Sequence, residues 1–271
     1  MEYPGATYHV IQRGNNREFI LDRPENRDYL VNQIIKAVKV DGIEVFAYVV
    51  MSNHYHLLLR TGEEPLSKVM HRINTCFSKY YNRKMDRTGH VFGGRYKSIP
   101  VQDDNYLLML VRYIHRNPVR AGLCSDMKDY RWSSDHHYRS SDSSFVNSDL
   151  LFDILANDRL MARKEYDILM TVADDTDCEN IEAIGDEAFA QMVKTGQVVS
   201  GIDALDEILC ATGVDQEQFR EIKNGSRKRV LTPFKVAYAR EAIRNGHRMV
   251  EIARHINISA TAINKLCQAP K

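Results

Sequence analysis

The sequence predicts an α+β protein. A ferredoxin-like split βαβ domain, an antiparallel sheet with helices on one face, is followed by an all-α C-terminal helix-turn-helix domain. Three observations predict it. Strand-like runs and amphipathic stretches follow one another in the order β-α-β-β-α-β, with one further helix, before residue 121. The composition then turns polar and serine-rich near 140–148. Finally, residues 225–271 are basic and end in two short helical pieces around "INIS".

The elements follow in order. "ATYHVIQRG" is a β-branched and aromatic run closed by Gly14, a first strand. "RPENRDYLVNQIIKAVKVDG" places Tyr29, Leu30, Ile34, Ala37 and Val38 at helical spacing and stops at Gly42. "IEVFAYVVMSN" is a second strand. "HYHLLLRT" is a third strand, or a continuation after a short turn at Ser52-Asn53. Pro65 opens a long helix with Leu66, Val69, Met70, Ile73, Phe77 and Tyr80 on one side. "HVFGGRYKSIPV" is strand-like, its two glycines marking a bulge or close backbone approach. "DDNYLLMLVRYIHRN" is a helix begun by Asp103 or Asp104 and expected to end at Pro118. The acidic stretch beyond 141 reads as short helices with loops. In the tail, Ser259 caps the second helical piece, with Ala253 in the first and Ile263 in the second.

The chain has 271 residues, 44% hydrophobic, enough for one or two domains with a real core. No run of about 18 apolar residues predicts a membrane span. "MEYPGATYHV" has no signal-peptide pattern. Five cysteines are scattered singly with no C-x-x-C, which supports neither a zinc ribbon nor a disulfide framework. A cytoplasmic protein is expected. The net charge of +1 hides a segregation. Residues 1–140 carry 21 Lys+Arg against 15 Asp+Glu, residues 141–224 carry 6 against 19, and residues 225–271 carry 10 against 2. The expected domains share these bounds: a catalytic domain 1–140, an acidic, mostly helical connector 141–224, and a DNA-binding domain 225–271.

Two constellations carry chemistry. In a strand, residues two apart share a face, so His54 and His56 project together with Tyr55 opposite. Two neutral imidazoles this close are a natural pair of divalent-metal ligands. Two hydrogen-bonded histidines at a sheet surface fit a bare H-x-H as well. In "YLLMLVRYIHRNPVRAGL", Tyr113 and Asn117 are four apart on one helix face, with Arg112, Arg116 and Arg120 beside them. A tyrosine hydroxyl can attack phosphorus when a metal polarises the phosphoryl oxygen. Taken alone, Tyr113 reads rather as a half-buried core tyrosine. His115, two residues on, points elsewhere, and Trp132 in "DYRWSS" reads as a packing anchor.

In order, "YPGATYHVIQRGNNR", "AYVVMSNHYHLLLRT", "GHVFGGRYKS", "YLLMLVRYIHRNPVRAGL" and "DYRWSS" resemble the single-tyrosine HUH transposase family. Within it the likeness is to the REP-associated tyrosine transposase branch, over about residues 3–140. The resemblance implies a DNA strand-transferase and endonuclease that cleaves and rejoins single-stranded or hairpin DNA. It implies a 5′-phosphotyrosine intermediate and a Mg²⁺ or Mn²⁺ cofactor. Carried over residue by residue, His54 and His56 are the metal ligands and Tyr113 is the nucleophile. Asn117 stands where insertion-sequence relatives carry a glutamine able to join the metal, and its shorter side chain leaves ligation open.

DNA-facing candidates are Gln12, Arg13, Asn15, Asn16 and Arg17, then Arg83, Lys84, Arg87, Arg95 and Lys97, with the helix arginines Arg112, Arg116 and Arg120. Phe92 and Tyr96 are suited to stacking on unpaired bases, and His90 lies among them. The tail resembles the helix-turn-helix of the bacterial replication initiator or the Trp repressor. That likeness implies duplex-DNA contacts from Ser259, Ala260, Thr261, Asn264 and Lys265, and backbone contacts from Arg227, Lys228 and Arg229. The competing reading is a domesticated, catalytically silent DNA-binding regulator. A metal-dependent hydrolase is disfavoured because no carboxylate lies near the histidines in sequence. The protein is expected as a monomer or homodimer.

Overall fold

The computed structural model of the chain describes all residues except 1, 3–4, 141–144, 173–177, 196–204, 246, 248 and 269–271. Tyr3-Pro4 of the first motif and part of the serine-rich boundary lie outside the described residues. The chain forms two compact units. One comprises residues 1–101, 109–148 and 169–184, the other 102–108, 149–168 and 185–271.

The first unit is built on four antiparallel strands, β1 (Thr7–Arg13), β2 (Glu44–Val50), β3 (His54–Arg60) and β4 (Lys97–Val101), in the order β2-β3-β1-β4. This is the order the split βαβ pattern requires, with α1 (Pro24–Asp41) and α2 (Leu66–Lys84) as the two crossovers. Helix α1 starts with Pro24 in its first turn and ends at Gly42, which takes φ 64° as a left-handed cap. Leu30, Ile34 and Ala37 are buried as the periodicity predicts. Along α2, Leu66, Val69, Met70, Ile73 and Phe77 are buried, and Tyr80 stacks on Tyr29 with ring centroids 3.8 Å apart.

Register decides which side chains meet. Arg13 lies opposite His54, Ile11 opposite His56 and His9 opposite Leu58, so these share one face. Gln12 opposite Tyr55 and Val10 opposite Leu57 share the other. On that second face the Tyr55 hydroxyl donates to Asn74 Oδ1 of α2 at 2.8 Å. The first face is covered by α3 (Leu107–Arg120), whose Tyr113 packs edge-on against His9 and His56. The two crossover helices therefore share one face, as the fold class predicts, while the tyrosine helix lies over the other. Cover on both sides explains why β3 reads as an unbroken apolar run, "HLLLR", rather than an alternating one.

Both outer strands have partners for their free backbone groups. The β2 edge receives Val50 N–H to Trp132 O (2.9 Å), Ser134 N–H to Tyr48 O (2.9 Å) and Asn147 N–H to Val45 O (2.7 Å). The β4 edge receives Ile184 N–H to Pro100 O (2.9 Å). The short helix α4 (Asp135–Arg139) extends the first of these segments, and its Tyr138 hydroxyl donates to Phe46 O at 2.8 Å. Trp132 anchors the segment as expected, with its indole N–H donating to Asp28 and the Arg27 guanidinium 4.3 Å from its ring.

Two expectations change. The strand read from His90 begins only at Lys97, because Gly93 packs on the end of β1, donating to Arg13 O at 3.1 Å, and Gly94 takes φ 149°. Helix α3 also runs through Pro118 to Arg120. Pro118 sits in the last turn, where only one intrahelical bond is lost, and its carbonyl accepts from Leu123 N–H.

The second unit is helical. It holds α5 (Asp149–Leu155), α6 (Arg159–Thr171) up to Ile168, α7 (Glu187–Thr195), α8 (Leu205–Ala211), α9 (Gln216–Lys223), α10 (Thr232–Arg244), α11 (Met249–His255) and α12 (Ala260–Gln268). Helix α9 opens with a capping box between Asp215 and Gln218. Helices α11 and α12 flank a turn in which Asn257 takes φ 52°. The Ser259 hydroxyl accepts from Ala262 N–H at 3.2 Å, the cap expected from sequence. Gly225 is required there, since a Cβ would lie 2.4 Å from Asn257 O. Ala253 and Ile263 are both buried. Among the described residues, no helix is long and apolar enough to cross a membrane.

Candidate metal and tyrosine site

The sheet face carrying the histidines supplies the site. His54 Nδ1 lies 2.6 Å from Asn53 Oδ1, and His56 Nδ1 lies 3.0 Å from His9 Nε2. With its Nδ1 engaged, the His56 ring turns its Nε2 towards Glu179 and Asn117, and such a hydrogen bond on the other ring nitrogen is what orients metal-binding histidines. Burial keeps both imidazoles neutral. His54 is held down at about 4 by burial and then by Arg13. His56 is lowered further by burial, with His9, His54, Arg13 and Arg120 adding to it. His9 is lowered to about 3 by burial, against a raising hydrogen bond to the Cys178 backbone.

Tyr113 reaches the same face from α3. Its ring centroid is 5.8 Å from that of His56, and it is only 3% exposed. The phenol pKa is raised by burial first, then by the Glu179 carboxylate, with Arg120 opposing. Arg120, two helical turns on, sets its guanidinium 5.0 Å from the Tyr113 ring centroid. Asn117, one turn from Tyr113, has its amide nitrogen 3.4 Å from His56 Nε2. The i,i+4 pair and the H-x-H pair are thus brought together.

Sequence reasoning missed one participant. Glu179 receives the Tyr113 hydroxyl on Oε1 at 3.2 Å and Arg13 Nη2 on Oε2 at 3.2 Å, with Oε1 3.5 Å from His56 Nε2. Lys97 Nζ also donates to its backbone carbonyl. His54, His56 and Glu179 each offer one donor atom within 4.8 Å of the others, the only such metal-ready trio among the described residues. Two neutral imidazoles and a carboxylate fit a hard divalent cation such as Mg²⁺ or Mn²⁺. No carboxylate lies near the histidines in sequence, but the fold brings one to them, Glu179, from 66 residues beyond Tyr113.

The DNA-facing candidates divide. Gln12 is buried on the opposite sheet face and donates to Gly94 O at 3.2 Å, so it is not free to read a base edge. Arg13 is half-buried at the site, Asn15 is half-buried, and Asn16 and Arg17 are exposed in left-handed backbone (φ 50° and 59°) just past β1. Arg83 and Arg95 are exposed, while Lys84 is held by Glu25 and Asn26, and Arg87 by Glu18 at 2.7 Å. Arg95, Tyr96, Phe92 and His90 line one cavity of about 880 Å³ with α2 residues such as Asn74 and Ser78. Arg112 is half-buried, and Arg116 donates to Met170 O at 2.5 Å. His115 is fully buried, its Nε2 2.6 Å from Ser134 Oγ, which removes it from the metal as expected.

In the helical unit, Arg227, Lys228, Ser259 and Lys265 line one cavity of about 770 Å³. Arg229 is exposed beside them, and Lys228 is paired with Glu221. Ala260 is buried. The Thr261 hydroxyl is turned to Asp153 O at 2.6 Å, and Asn264 accepts from Gln268 at 3.2 Å.

Two solved structures resemble the chain. One is described as "Structure of the REP associates tyrosine transposase bound to a REP hairpin". It is 21% identical, with a TM-score of 0.45, over 52% of this chain and 83% of the other. The second is a putative transposase from Deinococcus radiodurans R1, 20% identical with a TM-score of 0.32, over 42% of this chain and 92% of the other. No curated protein matches. The family model described as "Transposase IS200 like" matches residues 2–117, the stretch that contains all four strands, both histidines, Tyr113 and Asn117. Over residues 2–117 the chain is thus similar to the IS200-like transposase family.

Proposed function

We propose that the chain is a transposase of the REP-associated tyrosine kind, which cuts and rejoins single-stranded or hairpin DNA through a 5′-phosphotyrosine on Tyr113. The observation that carries this reading is the packing of the Tyr113 ring 5.8 Å from the ring of His56, which in turn lies 5.0 Å from that of His54 on the same sheet face. A neighbour of similar description holds a REP hairpin, which supports the choice of substrate class. The cofactor is Mg²⁺ or Mn²⁺, held by the Nε2 atoms of His54 and His56. When bound, it supplies Lewis-acid polarisation of the scissile phosphate.

The protein's own groups do the rest. Tyr113 Oη attacks phosphorus in line, losing its proton, and the 3′ oxygen leaves with one. A later attack by a strand 3′-OH reverses the step and restores the phenol. Arg120 favours the phenolate by its charge over the ring, and Arg13 binds an anion at the site's mouth. Asn117 orients the phosphate from one helical turn away. In this reading residues 1–140 carry catalysis, and the connector 141–224 adds Glu179 to the same site. Residues 225–271 bind duplex DNA around the cavity that gathers Arg227, Lys228, Ser259 and Lys265.

Incubation with a labelled hairpin oligonucleotide and Mn²⁺ tests the reading. The wild type is expected to form a protein–DNA adduct stable to denaturation, and Tyr113→Phe none. An adduct on Tyr113→Phe overturns the assignment. An intact oligonucleotide with the wild type favours the silent DNA-binding regulator.

A further inference from the structure

We propose that Glu179 is the third protein ligand of the divalent ion held by His54 and His56. The metal centre of the transposase domain would then be completed by a residue outside the 2–117 segment that defines the family. The inference rests on the metal-dependent reading above.

Geometry comes first. In an octahedral shell with bonds of about 2.1 Å, neighbouring ligand atoms lie roughly 3 Å apart and opposite ones about 4.2 Å. Glu179 Oε1 already lies 3.5 Å from His56 Nε2, and all three donor atoms lie within 4.8 Å of one another. A shift of about half an ångström brings the Glu179–His56 pair to the spacing of neighbouring ligands. The second argument is orientation. Each imidazole has its Nδ1 engaged, by Asn53 and by His9, which leaves Nε2 as the ligand atom of each, and that of His56 faces the carboxylate. Glu179 is oriented as well. Arg13 takes its Oε2 and Lys97 its backbone carbonyl, while Ile184, five residues on, is fixed to the β4 edge. Oε1 is left facing His56.

The third argument is charge. Two neutral imidazoles bring no negative charge to a hard dication, whereas Mg²⁺ and Mn²⁺ favour anionic oxygen. Asn117 is the competing donor, but it is uncharged and its amide nitrogen is the atom nearest His56. Glu179 Oε1 also accepts the Tyr113 hydroxyl. A ligand oxygen bonded to the nucleophile sets the phenol beside the ion, where the scissile phosphate must also come.

The test is Mn²⁺ binding to the full-length protein without DNA, measured from the electron paramagnetic resonance signal of free Mn²⁺. Glu179→Gln keeps the shape and the acceptor for Tyr113 and removes the charge. It is expected to weaken Mn²⁺ binding at least tenfold, with Trp132 fluorescence unchanged. Asn117→Ala is expected to stay within about twofold of wild type, and His54→Ala to lose binding. Wild-type Mn²⁺ affinity in Glu179→Gln, with loss in His54→Ala, overturns the role of Glu179 and leaves the metal reading standing. Undiminished binding in both variants overturns the metal reading and this inference together.

Discussion

His115 ties the helix of Tyr113 to the rest of the sheet domain, and its protonation should loosen that tie. It lies on α3, two residues from Tyr113, with no exposed surface. Its Nε2 meets Ser134 Oγ, which in turn accepts the Tyr48 N–H at 2.8 Å. Burial lowers its pKa from 6.5 to about 4. Asp135 opposes the shift, and Arg139, His136 and His137 add to it. The unfolded chain therefore takes up a proton near pH 6.5, while the folded chain does so only near 4. Within that window the unfolded state binds more protons, so stability is full above about 6.5 and falls as the pH drops towards 4. At about 1.4 kcal/mol per pH unit for one proton, the loss from pH 7 to pH 4.5 is about 3 kcal/mol from this residue alone. His9, His54 and His137 are lowered too and add to the total acid sensitivity. The share of His115 is isolated by His115→Gln, which keeps a polar partner for Ser134 and cannot titrate. Urea unfolding at pH 7 and pH 4.5, followed by the single Trp132 of this unit, gives both stabilities. Wild type is expected to lose about 3 kcal/mol more than the variant across the interval. Equal losses in the two proteins would refute the argument.

Two further outcomes are expected. Gly14→Ala places a Cβ 2.5 Å from Glu18 O and 3.2 Å from Ile20 Cγ1. The forced backbone shift should cost roughly 1–3 kcal/mol, read as a lower unfolding midpoint in urea. Arg120→Ala removes the cation from the face of the Tyr113 ring. Arg120 is exposed, so at about 0.5–1 kcal/mol for such a contact adduct formation should slow by roughly twofold to fivefold, and an unchanged rate would show that the guanidinium does not assist the phenol.

Much of this arrangement was legible in the residues. Period two in a strand put His54 and His56 on one face, and period 3.6 in a helix put Asn117 one turn from Tyr113. Those local rules place side chains within an element. They say nothing about register between elements, which is why Gln12 was grouped with Arg13 although β1 alternates them to opposite faces. Glu179 shows the same limit more strongly. It lies in an acidic stretch without periodicity, and nothing local distinguishes it from its neighbours Asp174, Asp175 and Asp177. Only the backbone pairing of Ile184 with the β4 edge, a contact distant in sequence, brings it to the histidines. Pro118 misled for a different reason. The rule that proline ends a helix applies to the residues that must donate behind it, and in a last turn there is little left to break.

The clothing of both sheet edges has a consequence for self-association. The segments that clothe them, 132–134 and 146–147 on one side and 184 on the other, all lie beyond residue 117. A chain cut back to the family segment would leave β2 and β4 as bare templates, ready to recruit a strand from any neighbour. In the intact protein those positions are taken from within. A second copy therefore finds backbone groups at Val45, Tyr48 and Val50 of one edge and at Pro100 of the other already paired, which disfavours strand-to-strand growth from either side of the sheet.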